Sequence, residues 1–177
     1  MKNSPLVLLA SARSAGQTAA FVQQTFVAVD HQLLDLLAVP LYPYSYSGQY
    51  PPDDAFASIV HQVLAHKTLV VATPVYWYAM SGLLKTFFDR LTDLVTVAKP
   101  LGRQLRGKQL FLLAVGADDA LPTGFETPFL LTAKYFGMQY GGSLYYSQKS
   151  PPTTASLAAA IQAFQATIAA RSAIPRT

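Results

Sequence analysis

The stretch Thr68-Leu-Val-Val-Ala-Thr-Pro-Val-Tyr-Trp-Tyr-Ala-Met-Ser-Gly-Leu-Leu-Lys-Thr-Phe-Phe-Asp-Arg90 contains an apolar run, an aromatic loop and a helical pattern, in that order. The run at residues 68–73 is short and nearly uninterrupted, which is typical of a strand that is covered on both faces. Pro74 then stiffens a turn, and apolar residues recur at helical spacing from Leu83 onward. We therefore predict a strand, loop and helix, which together form the repeating unit of a parallel α/β sheet.

Four more short apolar runs are bounded by turn residues, and we predict that they also form strands. They lie at residues 6–10, 33–39, 109–115 and 142–146. Helical spacing recurs at residues 22–29, 56–64, 83–94, 129–136 and 157–168. This strict alternation indicates an α/β three-layer sandwich, with helices on both faces of a five-stranded parallel sheet. Five such units fit the flavodoxin-like strand order 2-1-3-4-5, whose ligand crevice opens between strands 1 and 3.

The composition is that of a globular chain without thiol chemistry. Its 177 residues are 51% hydrophobic and 12% charged, which suits one domain over residues 1–177. Cysteine is absent, so any redox chemistry needs a bound cofactor. The apolar run at residues 6–10 is too short for a signal peptide or a membrane span. We therefore expect a cytoplasmic protein with no membrane partner.

The net charge of +4 raises the question of nucleic-acid binding. The basic residues are scattered except for one cluster, which we interpret as a solvated loop at the amino-terminal edge of the sheet, away from the ligand edge. It consists of Lys99, Arg103, Arg106 and Lys108. No nucleic-acid partner is expected. His31, His61 and His66 lie outside the ligand-edge loops, so no metal site is predicted.

The loop after the first strand reads Ser11-Ala-Arg-Ser-Ala-Gly-Gln-Thr18 and opens a helix. Unpaired N–H groups and the helix dipole favour an anion there, and the hydroxyls of Ser11, Ser14 and Thr18 can donate further hydrogen bonds. The loop lacks the ending of a P-loop and the glycines of a dinucleotide fingerprint. These residues alone fit a phosphate cradle and an ordinary helix cap beside an exposed arginine equally well.

Three adjacent aromatic residues, Tyr76, Trp77 and Tyr78, lie in the loop after the third strand. They cannot all enter one core, and they suit a planar ligand that needs an apolar wall. The alternative is that individual rings pack under the loop or into a subunit contact. The residues by themselves leave both interpretations open.

Both loops resemble the signatures of one family. Ala10-Ser-Ala-Arg-Ser-Ala-Gly-Gln-Thr18 is similar to the Gly-Ser-x-Arg-x-x-x-Asn/Ser-Thr phosphate loop of NAD(P)H-dependent FMN reductases and related flavodoxin-like quinone reductases. The segment from Thr73 to Arg90 is closer still to their second signature. This chain departs from the first at Ala10 and Gln17. The resemblance implies that the FMN phosphate is held by Ser11, Arg13, Gln17 and Thr18, and that the isoalloxazine is lined by Pro74, Val75, Tyr76 and Trp77.

The resemblance also implies a reaction, in which bound FMN passes electrons from NADPH or NADH to a small acceptor such as a quinone, azo compound, free flavin or metal oxyanion. Gly116 and Ala117 are expected to present backbone groups to the pyrimidine side of the flavin. We interpret Asp118 and Asp119 as turn acids and assign no catalytic side chain, because hydride transfer to flavin needs positioning more than a protein acid. The alternatives are a flavodoxin-type electron carrier, usually acidic unlike this chain, and a flavin-binding module without turnover.

Two apolar surfaces suggest self-association. Residues 40–54 form the longest loop and hold four tyrosines, which a lid, a subunit contact or packing on its own domain would explain. The third helix carries an apolar stripe wider than one sheet face requires, and similar reductases dimerise there. The stripe consists of Leu83, Leu84, Phe87, Phe88, Leu91, Leu94 and Val95. We expect a homodimer or homotetramer.

Overall fold

The computed structural model describes residues 1–172 and contains a five-stranded parallel sheet of order β2-β1-β3-β4-β5. The strands are β1 (Leu6–Leu9), β2 (Gln32–Asp35), β3 (Thr68–Pro74), β4 (Gln109–Gly116) and β5 (Gln139–Ser147). Strand β1 pairs with β2 on one side and with β3 on the other. The predicted 2-1-3-4-5 order is therefore confirmed, and the carboxyl ends of β1 and β3 lie side by side.

In the described part of the chain, seven α-helices cover both faces of the sheet. They are α1 (Gln17–Phe26), α2 (Phe56–Ala65), α3 (Gly82–Arg90), α4 (Asp93–Thr96), α5 (Lys99–Arg103), α6 (Thr127–Phe136) and α7 (Thr154–Ser172). Side chains alternate along β1, so Leu6 and Leu8 join the apolar core beneath α2, α3 and α6, whereas Val7 and Leu9 join the core beneath α1 and α7. The helices on the two faces and the sheet between them form the predicted three layers.

The predicted strand at residues 33–39 is wrong in its second half. Strand β2 ends at Asp35, and Leu36–Ala38 form a short 3-10 helix. The Asp35 carboxylate accepts a hydrogen bond of 2.9 Å from the Leu37 N–H, which caps this turn and ends the extended backbone. The apolar run continued past the strand because Leu36 still enters the core.

The third predicted helix, at residues 83–94, is interrupted. Helix α3 ends at Arg90, where the N–H groups of Leu91 and Thr92 donate to carbonyls three residues back instead of four. Helix α4 then begins at Asp93. The apolar periodicity hid this break because Leu94 remains buried on the same side as Phe87.

The basic cluster is a solvated loop only in part. Lys99 and Arg103 are exposed, but they lie at the two ends of helix α5. Lys108 is buried, and its ammonium donates hydrogen bonds of 2.8 and 2.5 Å to the carbonyls of Leu64 and His66. These carbonyls lie at the carboxyl end of α2, where a cation complements unpaired oxygens and the helix dipole. The prediction is therefore wrong for Lys108.

A buried arginine fixes the tyrosine-rich loop at residues 40–54. The Arg90 guanidinium forms a two-bonded ion pair with Asp54, at 2.9 and 2.8 Å, and its Nε donates to Asp93 at 2.8 Å. The guanidinium carbon lies 3.4 Å from the ring centroid of Tyr50. The carboxyl end of the loop thus packs on its own chain, which was one of the three explanations that the sequence left open.

Candidate functional site

A cleft of about 300 Å³ lies where the loops after β1, β3 and β4 meet. This is the edge at which open parallel sheets bind ligands, beside the neighbouring strands β1 and β3. The lining residues are Ser11, Arg13, Gly16, Gln17, Thr18, Pro74, Val75, Tyr76, Val115, Gly116, Ala117 and Gln148.

The first wall of the cleft is the start of helix α1. Its first hydrogen bond joins the N–H of Ala20 to the carbonyl of Gly16, so the N–H groups at 17–19 lie ahead of the helical ladder. No side chain caps this end, and its first turn has no acidic residue. Arg13 is exposed and forms no ion pair with any residue in the described range 1–172. The wall therefore combines unpaired N–H groups, a positive helix end and an arginine side chain, which suits an anion.

Two hydroxyl side chains also belong to this wall. Ser11 and Thr18 are both buried, although each lines the cleft. The Ser11 hydroxyl accepts a hydrogen bond of 3.4 Å from the N–H of Arg13, which folds the loop back on itself. No group within residues 1–172 accepts the proton of this hydroxyl, which can therefore bond a ligand oxygen.

The second wall is the loop after β3, which makes a two-residue hairpin. Tyr76 and Ala79 exchange backbone hydrogen bonds of 2.9 and 3.0 Å. Trp77 and Tyr78 between them have φ values of 49° and 63°, a left-handed conformation that favours Asn and Gly. Two consecutive bulky residues in this region indicate stored strain, which concentrates at functional sites.

This turn separates the three aromatic side chains. Tyr76 lines the cleft together with Pro74 and Val75. Trp77 lies at the tip of the turn, 93% exposed, and is not among the lining residues. The predicted contact of Trp77 with a planar ligand therefore stays a prediction, since the structure brings only the other residues of that group to the cleft.

A buried pair of hydroxyls joins the first and second walls. The Ser81 hydroxyl donates to the carbonyl of Ala10 at 2.7 Å and accepts the N–H of Leu84 at 3.2 Å, so it caps helix α3 as well. The Thr73 hydroxyl accepts the N–H of Ser81 at 3.0 Å. Sequence reasoning missed both residues, because the partner of Ser81 is a backbone atom that lies 71 residues away along the chain.

The third wall is the loop after β4. A Cβ at Gly116 would lie 2.7 Å from the Tyr145 hydroxyl and 3.1 Å from the Val75 side chain, so any larger residue would have to displace these side chains. The carboxylate of Asp119 accepts a hydrogen bond of 2.6 Å from Ser150. Neither Asp118 nor Asp119 lines the cleft, which agrees with their interpretation as turn acids.

The predicted site residues other than Trp77 all line this one cleft, although they come from three separate loops, whereas the Ser14 hydroxyl that was considered as a further donor does not. Sequence reasoning missed Gly16, Val115 and Gln148. The position of Gln148 directly after β5, the neighbour of β4, would have placed it at the same edge. Among residues 1–172, the structure brings together no group of three or more side chains suited to a metal ion. None of the helices in that range is long and apolar enough to cross a membrane.

Comparisons with known proteins agree on the family. The chain is 31% identical over 147 residues to a putative NAD(P)H-dependent FMN-containing oxidoreductase, YwqN, of Bacillus subtilis, an alignment that covers 77% of this chain and 80% of YwqN. The solved Trp repressor binding protein of Bacillus subtilis superposes with a TM-score of 0.70 at 25% identity, covering 93% of this chain and 99% of the other. An NADPH-quinone reductase from P. pentosaceus has a TM-score of 0.66 at 18% identity, over 92% and 95% of the two chains.

The family match covers all three walls of the cleft. Residues 5–123 match the family model of NADPH-dependent FMN reductases, a range that begins just before β1 and ends after the loop that follows β4. All three loops that build the cleft therefore fall inside the matched segment. The chain is an oxidoreductase that belongs to the family of NADPH-dependent FMN reductases.

Proposed function

We propose that this chain binds one FMN in the cleft and uses it to transfer electrons from NADPH or NADH to a small acceptor. The observation that carries the proposal is the meeting of an anion-suited helix end and an apolar wall in a single cleft. FMN has the same two parts, a terminal phosphate and a planar ring system. The acceptors that we propose are a quinone, an azo compound, a free flavin or a metal oxyanion.

The phosphate would lie against the start of α1. Ser11 and Thr18 supply hydroxyl donors, the N–H groups at 17–19 point out of the helix end, and Arg13 supplies the positive charge. A charge-assisted hydrogen bond of this kind contributes about 1.5 to 3 kcal/mol. Gln17 adds an amide at the position where similar reductases have a smaller polar residue.

The ring would lie against the second and third walls. Pro74, Val75 and Tyr76 give an apolar surface, while Gly116 and Ala117 would present backbone groups to the pyrimidine side of the ring. Bound FMN supplies the hydride acceptor, so the protein groups need only hold and orient the reactants. The described residues that line the cleft include no Asp, Glu or His.

The cofactor and its use are tested in two steps on the purified protein. Chromatography of the denatured protein, after reconstitution with both flavins, should release FMN and not FAD, because the cleft has one anion-suited wall. Anaerobic stopped-flow mixing with NADPH or NADH should then bleach the bound flavin. A protein that keeps FMN but is not bleached by either nucleotide would be an electron carrier or a flavin-binding module instead.

We further propose that the chain forms a homodimer, or a dimer of such dimers, through the surface of α3, α4 and α6. A groove there is lined by Phe88, Leu91, Val95, Tyr135 and Phe136 among others. Tyr135 is 72% exposed and Leu131 on the same helix is 56% exposed, which leaves apolar area without a partner in the described chain. Light scattering at micromolar concentration should give a dimeric or tetrameric mass, and a monomer would contradict the proposal.

Since the electron donor is a cytoplasmic nucleotide, we propose that the protein acts in the cytoplasm.

A further inference from the structure

In the described residues, the loop at residues 116–119 accepts hydrogen bonds through its oxygen atoms from one side, that of β5. The carbonyl of Gly116 accepts the N–H of Gln148 at 2.8 Å, and the carbonyl of Asp118 accepts the Tyr145 hydroxyl at 2.8 Å. The Asp119 carboxylate accepts the Ser150 hydroxyl at 2.6 Å. All three donors belong to β5 or to the segment that follows it.

The N–H groups of the same loop have no comparable partners. Within residues 1–172, the N–H groups at 117–119 donate to no other part of the protein. Gly116 and Ala117 nevertheless line the cleft. With the oxygen atoms turned toward β5, these N–H groups are left for a ligand or for water.

Tyr145 contacts this loop through both its hydroxyl and its ring. Its ring packs so near Gly116 that a Cβ there would approach both the Tyr145 hydroxyl and a ring carbon. Tyr145 pairs with Ala114 in the sheet, so it reaches the loop from a rigid strand. Burial and the nearby Asp118 raise the pKa of Tyr145 above 10.0, so the hydroxyl keeps its proton at neutral pH and remains a donor.

We propose that Tyr145 is a positioning residue that holds the N–H groups at 117–119 in place for the pyrimidine side of bound FMN, and that it thereby raises the reduction potential of the flavin. The inference rests on the proposed function. Reduction places extra electron density on the flavin, and N–H groups that are fixed beside it stabilise the reduced form more than the oxidised form. Loosening the loop should therefore lower the potential.

The test is the Tyr145→Phe variant of the FMN-loaded protein, which removes the hydroxyl and keeps the ring beside Gly116. Losing one such hydrogen bond should weaken the binding of reduced FMN relative to oxidised FMN by about threefold to tenfold. For a two-electron couple this lowers the midpoint potential by about 15 to 30 mV. In the protein without FMN, amide hydrogen exchange at 117–119 should be faster in Tyr145→Phe than in the parent.

Tyr146→Phe is the matched control. Tyr146 is the next residue of β5 and belongs to the opposite core, where its ring lies 5.4 Å from that of Phe21. Its hydroxyl forms no hydrogen bond with the described part of the chain, so both the potential and the exchange should match the parent.

Three results would overturn the inference. An unchanged potential or unchanged exchange in Tyr145→Phe would show that the hydroxyl does not hold the loop for the flavin, while leaving the proposed function intact. Equal changes in both variants would show a general effect of altering β5. A parent protein that takes up no FMN would overturn the proposed function itself, and the claim about the potential with it.

Discussion

The Ser81 hydroxyl and the Ala10 carbonyl form a buried hydrogen bond of 2.7 Å that links the start of helix α3 to the end of strand β1. Ala10 is followed directly by the first wall of the cleft, and Ser81 closes the second. The same hydroxyl accepts the N–H of Leu84, so one side chain serves both the cleft and the helix cap. The Ser81 hydroxyl therefore links the first and second walls of the cleft directly.

Replacing Ser81 with alanine should destabilise the protein by about 1 to 3 kcal/mol, because it removes a helix cap and leaves a buried carbonyl unpaired. Urea unfolding of the protein without FMN measures this loss. Thr86→Ala, which removes an exposed hydroxyl bonded to Gly82 within α3, should cost less than about 0.5 kcal/mol. Equal losses in the two variants would contradict the role of Ser81.

The pair formed by Asp54 and Arg90 should make stability depend on pH in the acid range. Burial alone would raise the pKa of Asp54, but hydrogen bonds from Arg90 and from the Tyr42 N–H outweigh it and hold the pKa below 3.8. A lowered pKa means that the stabilisation is fully present above the unfolded-state value and is lost as the pH falls through the lower folded-state value. The free energy of unfolding should therefore fall with acidification below about pH 4.

The Asp54→Asn variant isolates this effect. It should be less stable than the parent at pH 7, and its stability should fall less steeply below about pH 4, because position 54 no longer gains a proton on unfolding. Asp89→Asn is a suitable control, since the Asp89 carboxylate pairs with Lys85 on an exposed surface. If Asp54→Asn and the parent lose stability in parallel, the ion pair does not have the assigned role.

The left-handed turn predicts that Tyr78 stores backbone strain. Glycine adopts a φ of 63° without strain, so Tyr78→Gly should stabilise the protein without FMN by about 0.5 to 1 kcal/mol. The thermal midpoint measures the gain. Tyr46→Gly, at a tyrosine that is 97% exposed and has no positive φ, should give none. A stabilisation at both positions, or at neither, would argue against strain in the turn.

Tyr76→Ala should change the environment of bound FMN more than it changes the affinity for FMN. The side chain is part of the apolar wall, so its removal should shift the absorbance or fluorescence of bound FMN and alter the rate of its reduction by NAD(P)H. Measurements on flavin-saturated protein separate these effects from occupancy. Tyr44→Ala, in the loop at 40–54, is the control. An unchanged spectrum and rate would show that the ring does not lie against Tyr76.

The sequence predicted the sheet correctly because β1, β3 and β4 are short, mostly apolar runs, which are typical of a parallel sheet that is covered on both faces. It predicted the three loops of the cleft because topology brings the carboxyl ends of β1, β3 and β4 together. The contacts that the sequence did not predict are hydrogen bonds from side chains to distant backbone carbonyls. Lys108 looked solvated because its acceptors are carbonyls of a distant helix end, and Ser81 was missed because its partner Ala10 is remote in sequence. The left-handed turn at Trp77 was also hidden, since neither of its residues is a usual one for that conformation.

The central claim, that the start of α1 holds the phosphate of FMN, is tested most directly by comparing FMN with riboflavin, which lacks the phosphate. Fluorescence titrations would measure the dissociation constants of both for the parent, for Arg13→Ala and for the control Arg103→Ala, whose arginine is exposed in α5. We expect Arg13→Ala to weaken FMN binding by roughly 10- to 100-fold and to leave riboflavin binding within about twofold of the parent, with Arg103→Ala unchanged. If Arg13→Ala binds FMN as tightly as the parent, or loses riboflavin to the same extent, the phosphate does not lie against this helix.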